Sequence, residues 1–302
     1  MLKAGFIINT RVSSRQKIEE LFFPFENDDI KFYYFPTEYA GHSIELAARL
    51  KREKFDWIIS VGGDGTLNEI VNGLIHEDES DRDLPSLGMF PAGTGNDYSL
   101  SIKTSRKPED LIRAMLSNSS QAIDIGKISN EKGSIRYFIN VADAGMGGEV
   151  TQKIATSGNV MGKWVYYKTI LLSLLTYKRP RLHIAAKGID ITTKVISVVM
   201  GKGISFGGGY KIVPDAKLDD GKFFVAVIGD ISIFTYLIKI PHLMKGKKID
   251  HPLVHYFSAE SLKIENVSDL PCYLEMDGEA SFSCPVEVIC LKAKIRFMHL
   301  HQ

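Results

Sequence analysis

The stretch FDWIISVGGDGTLNEIVNGL, from Phe55 to Leu74, joins a short apolar run to a glycine-rich loop and then to a helical pattern. Trp57 to Val61 predict a buried strand, because β-branched and aromatic residues dominate the run. The glycines that follow, which allow a tight turn with exposed backbone amides, are Gly62, Gly63 and Gly65. A helix that begins after such a turn presents its N-terminus to an anion, so this loop is a candidate phosphate site. Asp64 places a negative charge in the same loop and needs its own explanation.

The residues around this stretch predict a doubly wound α/β sheet. Over the first ~125 residues, short β-rich runs alternate with helical stretches, a pattern typical of βαβ units and a parallel sheet. Such sheets bind ligands at the carboxyl ends of their strands. We therefore expect one crevice to be lined by the loops after Ile8, Phe35, Val61 and Phe90.

From about Ile125 onward the pattern changes to short alternating strands separated by turn residues, which predicts a mostly antiparallel β-sandwich. The predicted domains are 1–124 and 125–302, with the extreme C-terminus able to return to the first domain. Exposed strand edges in the second domain would permit a homodimer.

The charge is divided unevenly along the chain. Residues 1–150 hold 17 Lys+Arg and 23 Asp+Glu, a net charge of −6, whereas residues 151–302 hold 20 and 13, a net charge of +7. A basic second half fits an anionic partner, either a phosphate-bearing ligand or an acidic membrane face, although a solvated surface explains it as well. No nucleic-acid polymer is expected as a partner.

Composition points to a cytoplasmic protein. The first residues do not form a secretory signal, and the three cysteines, Cys272, Cys284 and Cys290, form no CxxC pair and are expected to be buried free thiols. The segments 163–181 and 237–248 combine aromatic or apolar residues with basic ones. Either segment is open to two interpretations, packing against the core or peripheral contact with the inner face of a membrane.

Asp64 is compatible with bound phosphates if a divalent cation lies between them, because a hard cation such as Mg²⁺ binds carboxylate and phosphate oxygens alike. The alternative is a turn aspartate that accepts hydrogen bonds from backbone amides. The loop is neither a P-loop nor a GxGxxG fingerprint. A second loop, Pro91–Ser99, brings another glycine pair and the carboxylate of Asp97 to the same crevice.

Five blocks, in order and spacing, resemble the diacylglycerol kinase catalytic-domain family of soluble lipid kinases, which also includes sphingosine and ceramide kinases; the likeness is greatest to bacterial members. The blocks are SVGGDGTLNEIVNGL, PAGTGNDYS, AIDIGKI, FGGGYKIVPDAKLDDGKF and LEMDGE. They cover essentially the whole chain, and the resemblance implies that domain 1–124 binds the nucleotide and domain 125–302 binds the acceptor substrate. The resemblance implies an ATP- and Mg²⁺-dependent kinase that phosphorylates a lipid hydroxyl, most simply that of diacylglycerol, at a membrane surface.

The resemblance also implies roles for individual residues. The implied general base is Glu279, with Asp64 as a second catalytic residue. The residues implied to bind ATP are Asn9, Thr37, Gly62, Gly63, Asp64, Gly65, Thr66, Leu67, Asn68, Glu69, Gly93 and Thr94. The residues implied to organise the catalytic Mg²⁺ are Asp64, Asp97 and Asp124. The residues implied to hold a separate structural Mg²⁺ are Asp220, through its side chain, and Lys217 and Lys222, through their carbonyls. After Asn9 the family usually has proline and glycine, where this chain has Thr10 and Arg11.

Two alternatives remain open at this stage. One is a kinase for another acceptor, such as NAD, a sphingoid base or another alcohol. The other is a non-catalytic regulator that binds nucleotide or lipid. Retention of Asp64, Asp97, Asp124 and Glu279 together favours a kinase, because a binding protein has no physical need for a general base.

Overall fold

The computed structural model describes residues 1–75, 83–93, 95–102, 104–156, 172–173 and 175–300. The chain divides into two compact units, which we call unit 1 (Met1–Ile125 and Lys292–Gln302) and unit 2 (Gly126–Leu291). The return of the C-terminal residues to unit 1 accompanies the last strand, which crosses from unit 2.

Unit 1 contains a parallel sheet in the strand order β2-β1-β3-β4. Its strands are β1 (Leu2–Ile8), β2 (Ile30–Pro36), β3 (Trp57–Gly62) and β4 (Ser86–Pro91). The C-terminal strand extends the sheet beside β4 through the parallel pair Phe297 and Leu87. Because β1 lies between β2 and β3, the chain reverses direction across the sheet there, and the loops after β1 and β3 open on one crevice.

Helices of unit 1 connect these strands. They are α1 (Arg15–Phe22), α2 (His42–Arg52), α3 (Asp64–Ile75), α4 (Ser99–Ile102) and α5 (Pro108–Leu116), with a 3₁₀ turn at Phe23–Phe25. The Ser14 hydroxyl caps α1 by accepting from the backbone N–H of Lys17. Helix α3 packs closely on α2, since a Cβ at Gly73 would lie 2.2 Å from the carbonyl oxygen of Ile44. Helix α3 begins at Asp64, two residues earlier than the pattern TLNEIVNGL predicts.

Unit 2 is an antiparallel β-sandwich that also contains helices. Strands β5 (Ser120–Asn130) and β15 (Val286–Met298) each have residues in both units. The other strands are β6 (Ile135–Phe138), β7 (Val141–Gly145), β8 (Arg181–Ala186), β9 (Ile189–Gly201), β10 (Phe223–Gly229), β11 (Val254–Ala259), β12 (Ser261–Asn266), β13 (Tyr273–Met276) and β14 (Glu279–Ser283). The helices of unit 2 whose bounds lie within the described residues include α6 (Met146–Thr156) and α7 (Ile233–Met244).

The long strand β9 joins the two layers of the sandwich. Its first part, Ile189–Lys194, pairs with β8, and its second part, Val195–Gly201, pairs with β7 and β10. One apolar cluster, which includes Leu182, Val198 and Leu274, fills the space between the layers. A second cluster packs α7, through Tyr236 and Leu243, against the other face. The predicted combination of a doubly wound α/β domain and an antiparallel β-sandwich is thus confirmed.

The expectation of buried free thiols holds at two of the three cysteines. Cys272 and Cys290 are buried free thiols, but Cys284 is partly exposed, because β14 ends beside it at the edge of its sheet. Most of the segment 163–181 lies outside the described residues. In the described part of the chain, no helix is long and apolar enough to span a membrane.

Candidate active site

The loops at the carboxyl ends of β1, β2 and β3 are joined by side-chain hydrogen bonds. Asn9 Nδ2 donates to Thr66 Oγ1 at 3.0 Å, across the point where the strand order reverses. Thr10 Oγ1 donates to the carbonyl of Thr37 at 2.8 Å. These contacts bring three of the sequence-predicted ATP residues, Asn9, Thr37 and Thr66, to one edge of the sheet.

Glu69 extends this network to the loop that precedes α2. Its Oε1 accepts the backbone N–H of Gly41 at 3.0 Å. Gly41 has φ of +87°, a conformation that suits glycine. The Glu69 carboxylate therefore ties α3 to the end of the β2 loop, and it contributes to the shape of the crevice.

The glycine loops after β3 and β4 lie against each other. The backbone N–H groups of Ala92 and Gly93 donate to the carbonyl of Gly62 at 3.0 and 3.1 Å. A Cβ on Gly93 would lie only 2.6 Å from Gly63 Cα, and a Cβ on Gly62 would lie 2.4 Å from Thr66 Oγ1. Among the described residues, the glycines with positive φ do not include Gly62, Gly63 or Gly65. Close packing therefore explains glycine at positions 62 and 93, rather than the turn conformation expected from the sequence.

Asp64 joins these two loops through backbone hydrogen bonds. Its Oδ2 accepts the N–H of Asp97 at 2.9 Å, and its Oδ1 accepts the N–H of Tyr98 at 3.1 Å. The carboxylate also lies in the first turn of α3, where the helix dipole favours negative charge. Asp64 therefore does accept hydrogen bonds from backbone amides, which was the alternative considered for it. These amides belong to residues that lie far away in sequence.

The surroundings of Asp64 also fit a divalent cation. A Cβ at Gly95 would lie 3.7 Å from Asp64 Oδ2 and 3.9 Å from Asp97 Oδ2, so both carboxylates border the same space above a glycine. Asn96 Oδ1 is buried nearby, and it has no hydrogen-bond partner among the described residues. Oxygen atoms of this kind are the ligands that Mg²⁺ prefers, usually together with waters and substrate phosphates.

Asp124 has a different set of contacts. It is buried, and its Oδ1 accepts the backbone N–H of Ala293 at 2.8 Å, which fixes the returning end of β15. Within the described residues, no group of three or more His, Cys, Asp or Glu side chains is arranged to hold a metal ion by itself. The role of Asp124 in Mg²⁺ binding stays a prediction.

For three of the remaining predicted ATP residues, the structure describes no side chain in the crevice. They are Leu67, Asn68 and Thr94. Leu67 is fully buried and Asn68 is nearly so, with its side-chain oxygen bonded to Asn72 Nδ2 at 3.1 Å. Thr94 lies outside the described residues. Any contact of Leu67 with nucleotide therefore involves its backbone.

In unit 2 the two acidic residues of the turn after β13 have different environments. Asp277 is buried, and its carboxylate accepts the backbone N–H groups of Ile139, Asn140 and Val141 at 2.9, 2.9 and 3.0 Å. Glu279 is exposed at the start of β14. Sequence reasoning placed both on one turn; the structure gives Asp277 a structural role and leaves Glu279 as the accessible carboxylate.

The predicted structural metal site does not fit a metal. Lys202 Nζ donates to Asp220 Oδ1 at 2.9 Å and to the carbonyl of Lys222 at 2.7 Å. The Lys202 ammonium group thus already contacts two of the three residues that the resemblance assigns as Mg²⁺ ligands. The third, Lys217, is exposed. Partial burial raises the pKa of Asp220, but the hydrogen bonds from Lys202 and from the Lys222 backbone outweigh it and hold that pKa below its ordinary value.

Two further carboxyl groups of unit 2 are buried on adjacent strands. Asp143 on β7 is the register partner of Glu275 on β13. Burial raises the pKa of Asp143 to about 7, despite hydrogen bonds from Ser197 and Gly147. Burial, followed by the charge of Asp143, raises the pKa of Glu275 well above its ordinary value. Two ionised carboxylates in such a place repel each other, so the neutral forms are favoured.

Comparisons with known proteins agree with this arrangement. Residues 3–128 match the diacylglycerol kinase catalytic domain, and residues 140–299 match the YegS C-terminal NAD kinase β-sandwich-like domain. A diacylglycerol kinase from Staphylococcus aureus (strain bovine RF122) is 32% identical over 269 residues, which cover 86% of this chain and 80% of the relative. The chain belongs to the diacylglycerol kinase catalytic-domain family. Membership identifies the protein as an ATP-dependent lipid kinase.

Two further proteins are similar to this chain over most of its length. The diacylglycerol kinase of Staphylococcus saprophyticus subsp. saprophyticus is 30% identical over 266 residues, which cover 86% of this chain and 82% of the relative. A crystal structure of a diacylglycerol kinase from Bacillus anthracis str. Sterne superposes with a TM-score of 0.74 at 20% identity, over 98% of this chain and 96% of that one. At this identity the solved structure supports the fold of the kinase.

Sequence reasoning missed two residues that shape this kinase. Lys202 follows directly after the buried end of β9, and a lysine at the end of an apolar strand was the available signal. Its partners lie 18 and 20 residues further along the chain, so no local pattern identifies them. The buried Asn96, in the GTGND loop, was read only as part of a turn.

Proposed function

We propose that this kinase transfers the γ-phosphate of ATP to the free hydroxyl of diacylglycerol and so produces phosphatidic acid. The observation that carries the proposal is the meeting of the glycine loops after β3 and β4 through Asp64, at the carboxyl edge of a parallel sheet. This edge is where α/β sheets bind nucleotides, and the same loops carry the family blocks.

Unit 1 supplies the groups that phosphate binding needs. The close approach of Gly63 and Gly93 keeps the two loops together, and the N-terminus of α3 favours an anion. Asp64 and Asp97 would hold Mg²⁺ beside the space above Gly95. When bound, Mg²⁺ neutralises charge on the phosphate oxygens, which lowers the cost of bringing the acceptor hydroxyl to the γ-phosphorus.

Glu279 is the general base in this proposal. As the acceptor oxygen forms a bond to the γ-phosphorus, the bond to the bridging β–γ oxygen breaks, ADP leaves, and the hydroxyl proton passes to the Glu279 carboxylate. An exposed glutamate can accept this proton from a bound alcohol. Asp277, whose oxygens accept three backbone N–H groups, keeps the turn in place.

The acceptor dissolves in a bilayer, so the kinase must work at a membrane surface, and α7 offers a surface for this contact. Phe234 and Ile238, 75% and 68% exposed, lie one helical turn apart on α7, while Tyr236 and Leu243 point into the core. Exposed Lys245 and Lys247 follow this helix. Apolar side chains flanked by cations are typical of helices that rest in the interface of an anionic bilayer. We call Phe234, Ile238, Lys245 and Lys247 the α7 surface.

A phosphate-transfer assay tests the acceptor. The purified kinase is incubated with γ-labelled ATP, Mg²⁺ and vesicles that contain one alcohol at a time: diacylglycerol, a sphingoid base, a ceramide, or soluble NAD. We expect label in the diacylglycerol product at a rate at least tenfold above the others. Greater transfer to another alcohol would replace the acceptor, and binding of ATP without transfer to any alcohol would favour the regulator alternative.

Two matched variants of the β13–β14 turn test the base. We expect Glu279→Gln to lower kcat by about 10²- to 10⁴-fold, which is what loss of a general base costs, at an unchanged melting temperature. Asp277→Asn removes a buried acceptor oxygen two residues away. We expect its main effect to be a lower melting temperature. Turnover of Glu279→Gln within a few-fold of the parent would exclude Glu279 as the base.

A further inference from the structure

Lys202 is a fully buried lysine in unit 2. Its side chain has 0% exposure, and it directly follows β9, whose last residue is Gly201. The backbone N–H groups of Lys202 and Gly203 both donate to the carbonyl of Asn140 at 2.8 and 3.0 Å, which fixes the start of the side chain. A buried ammonium group is costly unless its charge is paired and its donors are satisfied.

The partners of this ammonium group belong to one short loop. Asp220 Oδ1 accepts from Nζ at 2.9 Å and also from the backbone N–H of Lys222 at 3.1 Å. The carbonyl of Lys222 accepts from Nζ at 2.7 Å. Gly221, with φ of +73°, lies between them and allows the tight bend that turns both oxygens toward the same cation.

We propose that the Lys202 ammonium group takes the place of a structural divalent cation in this chain, so that unit 2 is stabilised by an internal cation and needs no metal. An ammonium group is a compact point charge with three donors, and it can satisfy a carboxylate and a carbonyl together. A metal on the same two oxygens would share them with a buried positive charge, which the low dielectric of the interior opposes.

The site is connected to the turn that carries Glu279. The carbonyl of Asn140 holds Lys202, and the backbone N–H of Asn140 donates to Asp277 Oδ1 at 2.9 Å. Loss of the internal cation therefore disturbs an element that supports the proposed base. The stability experiment below uses no nucleotide or lipid, and its result does not depend on the proposed function.

Thermal unfolding of the nucleotide-free protein tests the proposal. Melting temperatures of the parent and of Asp220→Asn are measured with EDTA, with Mg²⁺ and with Ca²⁺. We expect any shift caused by the metals to be equal in the two proteins, because the ions then bind elsewhere. A metal-dependent stabilisation of the parent that Asp220→Asn abolishes would overturn the proposal, and this comparison stands even if Lys202 variants do not fold.

Lys202 variants give the positive test. Lys202→Met keeps the length of the side chain without its charge, and we expect a melting temperature lower by roughly 5–10 °C that metals do not restore. Lys202→Ala leaves space for an ion, so Mg²⁺ or Ca²⁺ should restore part of the loss, and Lys202→Ala/Asp220→Asn should show no restoration. An unchanged melting temperature of Lys202→Met would count against the internal cation.

Discussion

Asp64 joins the two glycine loops of unit 1. Its two oxygens accept the backbone N–H groups of Asp97 and Tyr98, and Oδ2 also borders the space above Gly95. A carboxylate is needed for the first task because an amide side chain offers only one acceptor oxygen. It is needed for the second because a neutral oxygen attracts a cation less strongly.

We expect Asp64→Asn to lower the free energy of unfolding by about 1–3 kcal/mol, since one backbone N–H loses its acceptor, and to weaken ATP–Mg²⁺ binding as well. Chemical denaturation and nucleotide titration measure the two effects. Asp56→Asn is a matched control: Asp56 Oδ2 also accepts one backbone N–H, that of Lys3, at the start of β3 and away from the crevice. Equal loss of nucleotide binding in both variants would remove Asp64 from the site.

The glycines in the loop after β4 differ in the space available for a side chain. A methyl group at Gly93 would meet Gly63 Cα at 2.6 Å and the Gly63 nitrogen at 2.9 Å, whereas one at Gly95 would meet only carboxylate oxygens, at 3.7 Å or more. We expect Gly93→Ala to separate the loops and lower the melting temperature. Gly95→Ala should keep the melting temperature yet raise the KM for ATP–Mg²⁺, because it fills the space between the carboxylates. A normal melting temperature for Gly93→Ala would contradict the close packing of these loops.

The buried carboxyl groups on the paired strands β7 and β13 indicate that the stability of the protein depends on pH. The pKa of Asp143 is raised to about 7 by burial, above its ordinary 3.8 in the unfolded chain. Between these values the folded protein binds more protons than the unfolded chain, so this group's stabilisation is complete below about 3.8 and is lost as the pH rises through about 7. We expect the melting temperature to fall between pH 5 and pH 8, with Glu275 acting in the same direction.

Asp143→Asn is the control for this prediction, because an asparagine resembles the protonated acid and its oxygen can still accept from Ser197 and Gly147. The variant should show a smaller decrease in melting temperature over the same pH range. Equal slopes for parent and variant would show that Asp143 does not titrate in this range.

At the scale of elements, the sequence predicted what depends on local pattern. The apolar run Trp57–Val61 predicted a buried strand, and strands that alternate with helices predicted the parallel sheet. The predicted loops after β1, β2, β3 and β4 do meet. What depended on distant contacts was missed: Lys202 and Asp220 lie on different elements, and the need for glycine at 93 arises from Gly63 across the crevice. The environment of Asp277, which differs from that of Glu279, likewise depends on backbone N–H groups of Ile139–Val141, more than 130 residues away.

The whole chain has an uneven charge, −6 in residues 1–150 and +7 in residues 151–302. The basic half contains the α7 surface, so excess positive charge and exposed apolar side chains occur in the same half of the chain. Attraction to anionic lipid acts over about 10 Å at 0.1 M salt, and it would bring unit 2 to the bilayer before apolar contact forms.

We expect the double variant Phe234→Ser/Ile238→Ser to bind phosphatidylglycerol vesicles at least about tenfold more weakly, since each apolar side chain contributes up to about 1.5–3 kcal/mol when buried. Co-sedimentation with vesicles measures this, and the melting temperature checks the fold. Val267→Ser is the control, because Val267 is also an exposed apolar residue of unit 2, in the turn after β12. Lys245→Gln/Lys247→Gln should lose binding chiefly at low salt, whereas the apolar variant should lose it at every salt concentration. Vesicle binding that is unaffected by both double variants would place membrane contact on another surface of the kinase.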